Sequence, residues 1–174
     1  LMDSSEIQIT TKGKINETIN GATDWVYEEE FSFHKGFEWS LDGSKLAYYS
    51  FFEGDVKEFQ MEMYGSLYPD HYKFKYPKAG EDNSIVSIFV YELQQERTTA
   101  FDIGPNPDIY IPRIKWTKDP DVLSVLKMNR LQNQIELLKG RFSAYRPNNH
   151  GVKTEVIYKE NSKTYIDVHD NLNF

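Results

Sequence analysis

The chain has 174 residues, enough for one domain with a real core, and its 12 Tyr, 11 Phe and 3 Trp beside 27% charged residues mark it as globular, not disordered. Twenty Lys and Arg against 27 Asp and Glu give a net charge of −7, which argues against sequence-independent binding to nucleic acid or to an anionic membrane and favours cationic partners. Without cysteine there is no disulfide framework, no thiolate nucleophile and no Cys-ligated metal or cluster, and no apolar run approaches the ~18 residues of a membrane span.

In chain order, Leu1-Met2-Asp3-Ser4-Ser5 lacks the basic and apolar regions of a signal peptide and is expected to be a cloning remnant, leaving residues 6–174 as the domain. Segments rich in β-branched and aromatic residues then recur at residues 7–10, 45–49, 85–93, 113–116, 122–129, 152–159 and 165–168. Gly13, Gly21, Gly36, Gly43, Gly54, Gly80, Gly104, Gly140 and Gly151, with Pro105, Pro107, Pro120 and Pro147, fall mostly between them, where turns need a positive or a fixed φ. This is an all-β rhythm.

Residues 21–31 break it. Thr23 or Asp24 can cap a short helix, and the glutamates that follow suit the positive end of its dipole. Neighbours on a helix lie about 100° apart and residues two apart about 200°, so Glu29 and Glu30 can converge while Glu28 points away. On a strand, Glu28 and Glu30 would share a face instead. Two readings of this segment stand: a solvated acidic turn, or paired carboxylates that repel one another until an ammonium group sits between them.

Further along, Phe37-Glu38-Trp39-Ser40-Leu41-Asp42-Gly43-Ser44-Lys45-Leu46 matches Ile114-Lys115-Trp116-Thr117-Lys118-Asp119-Pro120-Asp121-Val122-Leu123 at an offset of 77 residues. Each reads as a hairpin: an apolar strand ending in Trp, a Ser/Thr-x-Asp-Gly/Pro turn, and a second strand. The repeat units lie near residues 37–50 and 114–129. A propeller blade takes about 40–50 residues, so the offset implies an insertion of roughly 30, for which residues 51–78 are available. A β-sandwich fits two such units as well. Within residues 51–56 the aromatic content suits blade core better than a pocket wall.

Three of these stretches carry a family likeness. Asp24-Trp25-Val26-Tyr27-Glu28-Glu29-Glu30, then Trp39-Ser40-Leu41-Asp42-Gly43-Ser44-Lys45-Leu46-Ala47-Tyr48, then Tyr76-Pro77-Lys78-Ala79-Gly80 resemble, in order, the N-terminal β-propeller of the dipeptidyl peptidase IV family, with a looser likeness from residue 109 onward and a leaning to bacterial members. The resemblance implies an all-β fragment, several blades of a larger propeller, with a short helix carrying the paired glutamates. It implies that Glu29 and Glu30 bind the free α-amino group of a peptide substrate, and that Glu28 belongs to the motif without that role. It further implies a serine-type dipeptidyl aminopeptidase acting after a penultimate Pro or Ala, located in the cell envelope, periplasmic or at the surface. Its nucleophile would lie on an α/β-hydrolase domain that this chain lacks.

The residues agree with that division. No G-x-S-x-G elbow occurs, and Ser40, Ser44 and Ser66 sit in turn contexts. His34, His71, His150 and His169 show no metal-binding spacing, and Asp119-Pro120-Asp121 lacks the remaining ligands of a calcium loop. No catalytic residue, metal or cofactor is therefore expected in the chain. The expected partners are a peptide with a free N-terminus, the hydrolase domain and a second copy of the fragment, and no nucleic acid. The rival reading is a non-enzymatic propeller or sandwich that serves as a binding module.

Overall fold

The structure is a computed structural model that describes residues 6–142, 151–170 and 172. Residues 1–5, Pro147 and His150 lie outside the described residues. Eleven strands and one helix are described: β1 (Thr18–Asn20), α1 (Trp25–Phe31), β2 (Phe37–Trp39), β3 (Lys45–Phe52), β4 (Glu58–Met63), β5 (Asp70–Lys75), β6 (Ile85–Glu92), β7 (Arg97–Ala100), β8 (Ile109–Trp116), β9 (Val122–Asn129), β10 (Gln134–Arg141) and β11 (Thr154–Asn161). All strand pairs between these elements are antiparallel.

The strands form two meanders. One has the order β11-β10-β9-β8; the other runs β1-β3-β6-β7, with β2 also on β3. Because each sheet takes its strands in chain order, apart from the inserted β4 and β5, with no Greek-key exchange between the two meanders, these are propeller blades and not the halves of a sandwich. The described part of the fragment thus holds two four-stranded blades. The insertion forms a separate two-stranded sheet, β4-β5, which leaves the first blade between β3 and β6.

The two repeat units superimpose in their bonding. Ser40 N–H donates to Lys45 O at 2.9 Å, and 77 residues on Thr117 N–H donates to Val122 O at 3.0 Å. In the first turn the Ser40 hydroxyl, then the Ser44 amide and hydroxyl, donate to Asp42 and hold its carboxyl down at about 2. Gly43 supplies the positive φ, +70°, that closes this turn.

β1 and β2 are one strand interrupted. Their residues pair with Ser50–Phe52 and Leu46–Tyr48 of β3 in continuous register, and Gly21 N–H to Tyr49 O and Tyr49 N–H to Gly36 O bridge the break. The helix is therefore an excursion from the middle of a blade strand. At its neck the backbones approach so closely that a Cβ on Gly36 would lie 2.8 Å from Ala22 O.

The core fills the seam between the blades, with Phe51, Val90, Ile111, Leu123 and Val125 fully buried. Trp116 is buried there and its Nε1 donates to Glu38 O of the first blade at 3.0 Å. Of the residues expected as blade core within 51–56, Phe51 and Val56 are buried, whereas Phe52 is exposed.

Two expected strands are absent. Residues 7–10 form no strand, since none of the described strands pairs with them, and Ile7 is exposed. Residues 165–168 run as irregular chain, tied by Ile166 N–H to Gln132 O at 2.7 Å and by the buried Ile166 side chain. Asp119-Pro120-Asp121 forms a turn in which Asp119 accepts the Asp121 N–H.

Candidate functional site

Helix α1 begins where the sequence places a cap. Asp24 is extended, and its carboxylate accepts the Tyr27 N–H at 3.0 Å and the Ser84 hydroxyl. Burial drives the Asp24 carboxyl above its ordinary value, more strongly than those hydrogen bonds lower it. The helix ends at Ser32, which enters the left-handed region at φ +57°.

Tyr27 and Phe31, one turn apart, anchor the helix in the seam. The Tyr27 ring lies 4.7 Å from Phe51 of the first blade, and Phe31 lies 5.2 Å from Tyr110 of the second. The Tyr27 oxygen accepts the Ile111 N–H at 2.8 Å, and complete burial raises the phenol well above its ordinary pKa, so it stays neutral. Trp25 meets Tyr76 at the foot of the β4-β5 hairpin edge-on, 4.3 Å between ring centres. Both blades and the insertion thus hold α1.

The residues between these anchors, Glu28, Glu29 and Glu30, are all exposed. Glu30 Oε1 accepts a hydrogen bond from Gln132 Nε2 at 2.7 Å, across 102 residues of chain. Glu28 and Glu29 make no side-chain hydrogen bond or ion pair among the described residues. Glu30 and Gln132 border a polar cleft of about 400 Å3 that also includes Arg113, Tyr165 and Asp167.

The guanidinium of Arg113 is already committed. Its Nη1 donates to Phe31 O at 3.0 Å and Pro112 O at 2.7 Å, its Nε pairs with Asp170 at 2.7 Å, and it covers the Phe33 ring at 5.6 Å. It closes the last turn of the helix and leaves the glutamates without a cation among the described residues. Asp170, next to His169, is therefore an arginine partner beside irregular chain.

Sequence reasoning located the helix, its cap and its glutamates, but not Gln132 or Arg113. Neither sits in a motif, and the blade seam that brings them to α1 has no local signature. His71 bonds Gln60, and the described residues hold no group of three His, Cys, Asp or Glu able to bind a metal ion.

The model of the dipeptidyl peptidase IV (DPP IV) N-terminal region matches residues 1–174. Venom dipeptidyl peptidase 4 of Vespa velutina is 34% identical over 143 residues, covering 75% of this chain and 18% of that protein. Inactive dipeptidyl peptidase 10 of Rattus norvegicus is 34% identical over 136 residues, covering 75% of this chain and 17% of that protein. The crystal structure of Porphyromonas gingivalis dipeptidyl peptidase 4 superimposes with a TM-score of 0.83 at 40% identity, covering 94% of this chain and 22% of that one. That match agrees with the bacterial leaning of the sequence. The chain spans about one fifth or less of these proteins, and it belongs to the dipeptidyl peptidase IV N-terminal region family.

Proposed function

We propose that this chain is the substrate-recognition segment of a serine-type dipeptidyl aminopeptidase that releases N-terminal dipeptides with a penultimate Pro or Ala. Glu29 and Glu30 receive the substrate ammonium, and the serine, with its acid and base partners, lies on a hydrolase domain elsewhere in the whole protein. The cell-envelope location belongs to the same proposal and is checked by fractionating cells.

One observation carries this reading. A helix fixed at both blades presents three successive carboxylates with no basic side chain paired to them among the described residues, while Arg113 beside them is bound elsewhere. Three like charges held together on a rigid support favour an incoming cation, and charge-assisted hydrogen bonds from an ammonium fit two converging carboxylates. Such a site fixes the distance from the peptide's N-terminus to the attacked bond, which makes the enzyme count two residues.

The test compares Gly-Pro chromogenic amide with its N-acetylated form on the full-length protein. Rapid hydrolysis of the first and none of the second is expected; equal rates would overturn the ammonium role. The relative named inactive in rat is as similar as the venom enzyme, so likeness in this region does not separate an enzyme from a binding module. The same assay does, because a binding module cleaves neither substrate.

A further inference from the structure

The turn between β9 and β10 reaches back across the blade seam to α1 through one side chain, that of Gln132. Its backbone is in the left-handed region at φ +53°. A residue with a Cβ is strained there and glycine is not. The turn around it is fully fixed: Gln132 N–H donates to Asn129 O at 2.9 Å, and Asn129 Oδ1 accepts the N–H groups of Asn133 and Gln134, each at 3.0 Å. Gln132 O is taken by the Ile166 N–H. With its backbone so held, Gln132 aims its amide from a rigid base.

The amide meets Glu30, whose carboxylate can only accept, so it is the NH2 group that faces it. Two neighbouring carboxylates tend to splay apart, and a donor on one of them opposes this. A lysine or arginine at this place would neutralise Glu30 and compete with an incoming ammonium; a neutral amide orients the carboxylate and leaves its charge intact. We propose that Gln132 is a positioning residue, holding one oxygen of Glu30 so that the other faces the ligand ammonium beside Glu29. The proposal rests on the reading of Glu29 and Glu30 given above.

The test is a double-mutant cycle in the full-length enzyme with a free-amine Xaa-Pro amide. Gln132→Gly is expected to lower kcat/KM about 3- to 10-fold, the worth of one exposed hydrogen bond, while its unfolding midpoint stays level or rises because the strained φ is relieved. Gln132→Met, which keeps the bulk, is expected to show the same loss of kcat/KM. On a Glu30→Gln background, Gln132→Gly is expected to change kcat/KM by less than about twofold, since the charge it served is gone.

Equal losses on both backgrounds, or no loss on the parent, would overturn the role of Gln132. A midpoint that falls in step with activity in both Gln132 variants would also overturn it, by making the residue structural. If Glu30→Gln alone kept the parental rate, the ammonium reading would fail first and the positioning role with it.

Discussion

If the proposed function holds, Glu29→Gln or Glu30→Gln in the full-length protein should lower kcat/KM for free-amine dipeptidyl substrates by roughly 1.5 to 3.5 orders of magnitude, since breaking one charge pair that bound substrate desolvates costs about 2–5 kcal/mol at ~1.36 kcal/mol per decade. Glu28→Gln should do far less. Steady-state kinetics of the three variants check this, and equal effects would rule out a distinct role for Glu29 and Glu30. Asp24 gives a second test at this scale. Its folded-state carboxyl is raised above 3.8, the ordinary value, so the folded form holds the proton more tightly than the unfolded form. The stability this adds is complete below the ordinary value and is lost as pH rises through the raised one. Asn has no proton to lose and still accepts the Tyr27 N–H as a cap. Asp24→Asn should therefore gain on the parent as pH climbs from 3.5 to 7, with Glu53, raised by its own burial and then by Asp24, acting in the same direction. Urea midpoints across that range decide the matter; a gap that is constant or shrinks with pH contradicts it.

At the scale of elements, what was legible in the sequence was local. The Asp24 cap, the seven-residue helix and the turn at Asp42-Gly43 depend on neighbours within a few residues, and sequence spacing records such contacts. The interruption of β1 and β2 was not legible, because it depends on Gly21 and Gly36 each bonding to Tyr49 on another strand. β10 escaped notice for a related reason. Its outward Glu136 looks wrong for a strand until Lys127 and Lys159 flank it from β9 and β11, each at 2.6 Å. Residues 165–168 showed the opposite error: Ile166 is apolar because it is buried, yet no described strand pairs with it. The most consequential link between elements is Tyr27, which joins α1 to the second blade through the Ile111 N–H. Tyr27→Phe leaves that donor buried without a partner, a cost of about 1–3 kcal/mol. Denaturant unfolding at one fixed protein concentration should show the loss, and an unchanged midpoint would mean that the ring packing alone holds the helix.

For the whole molecule, the relation between the two tryptophans of the repeat units, Trp39 and Trp116, decides the expected behaviour in solution. Trp116 starts the turn of the second blade and is buried against the first, whereas Trp39, at the same place in the first blade, is 46% exposed and faces no earlier blade among the described residues. On the second blade the outermost strand is β11, where Val156, Ile157 and Tyr158 are exposed on a strand paired on one side only among the described residues. In a closed propeller a neighbouring blade would pack on the face that carries Trp39 and on one face of the sheet that ends in β11. Exposed apolar surface of this kind exceeds what soluble monomers usually carry, and an unpaired strand edge offers backbone groups to another chain. The isolated 174-residue chain should therefore self-associate, most simply as a two-fold dimer that places one blade edge against its copy. Light scattering over a dilution series should give a dimer or larger species that dissociates at low concentration. Lys substituted at Ile157 should shift that equilibrium toward monomer, since a charge on an edge strand opposes pairing. A species of 20.4 kDa at every concentration would show that the outer faces of these two blades are satisfied within one chain, and that the surface left by the missing neighbours is not adhesive.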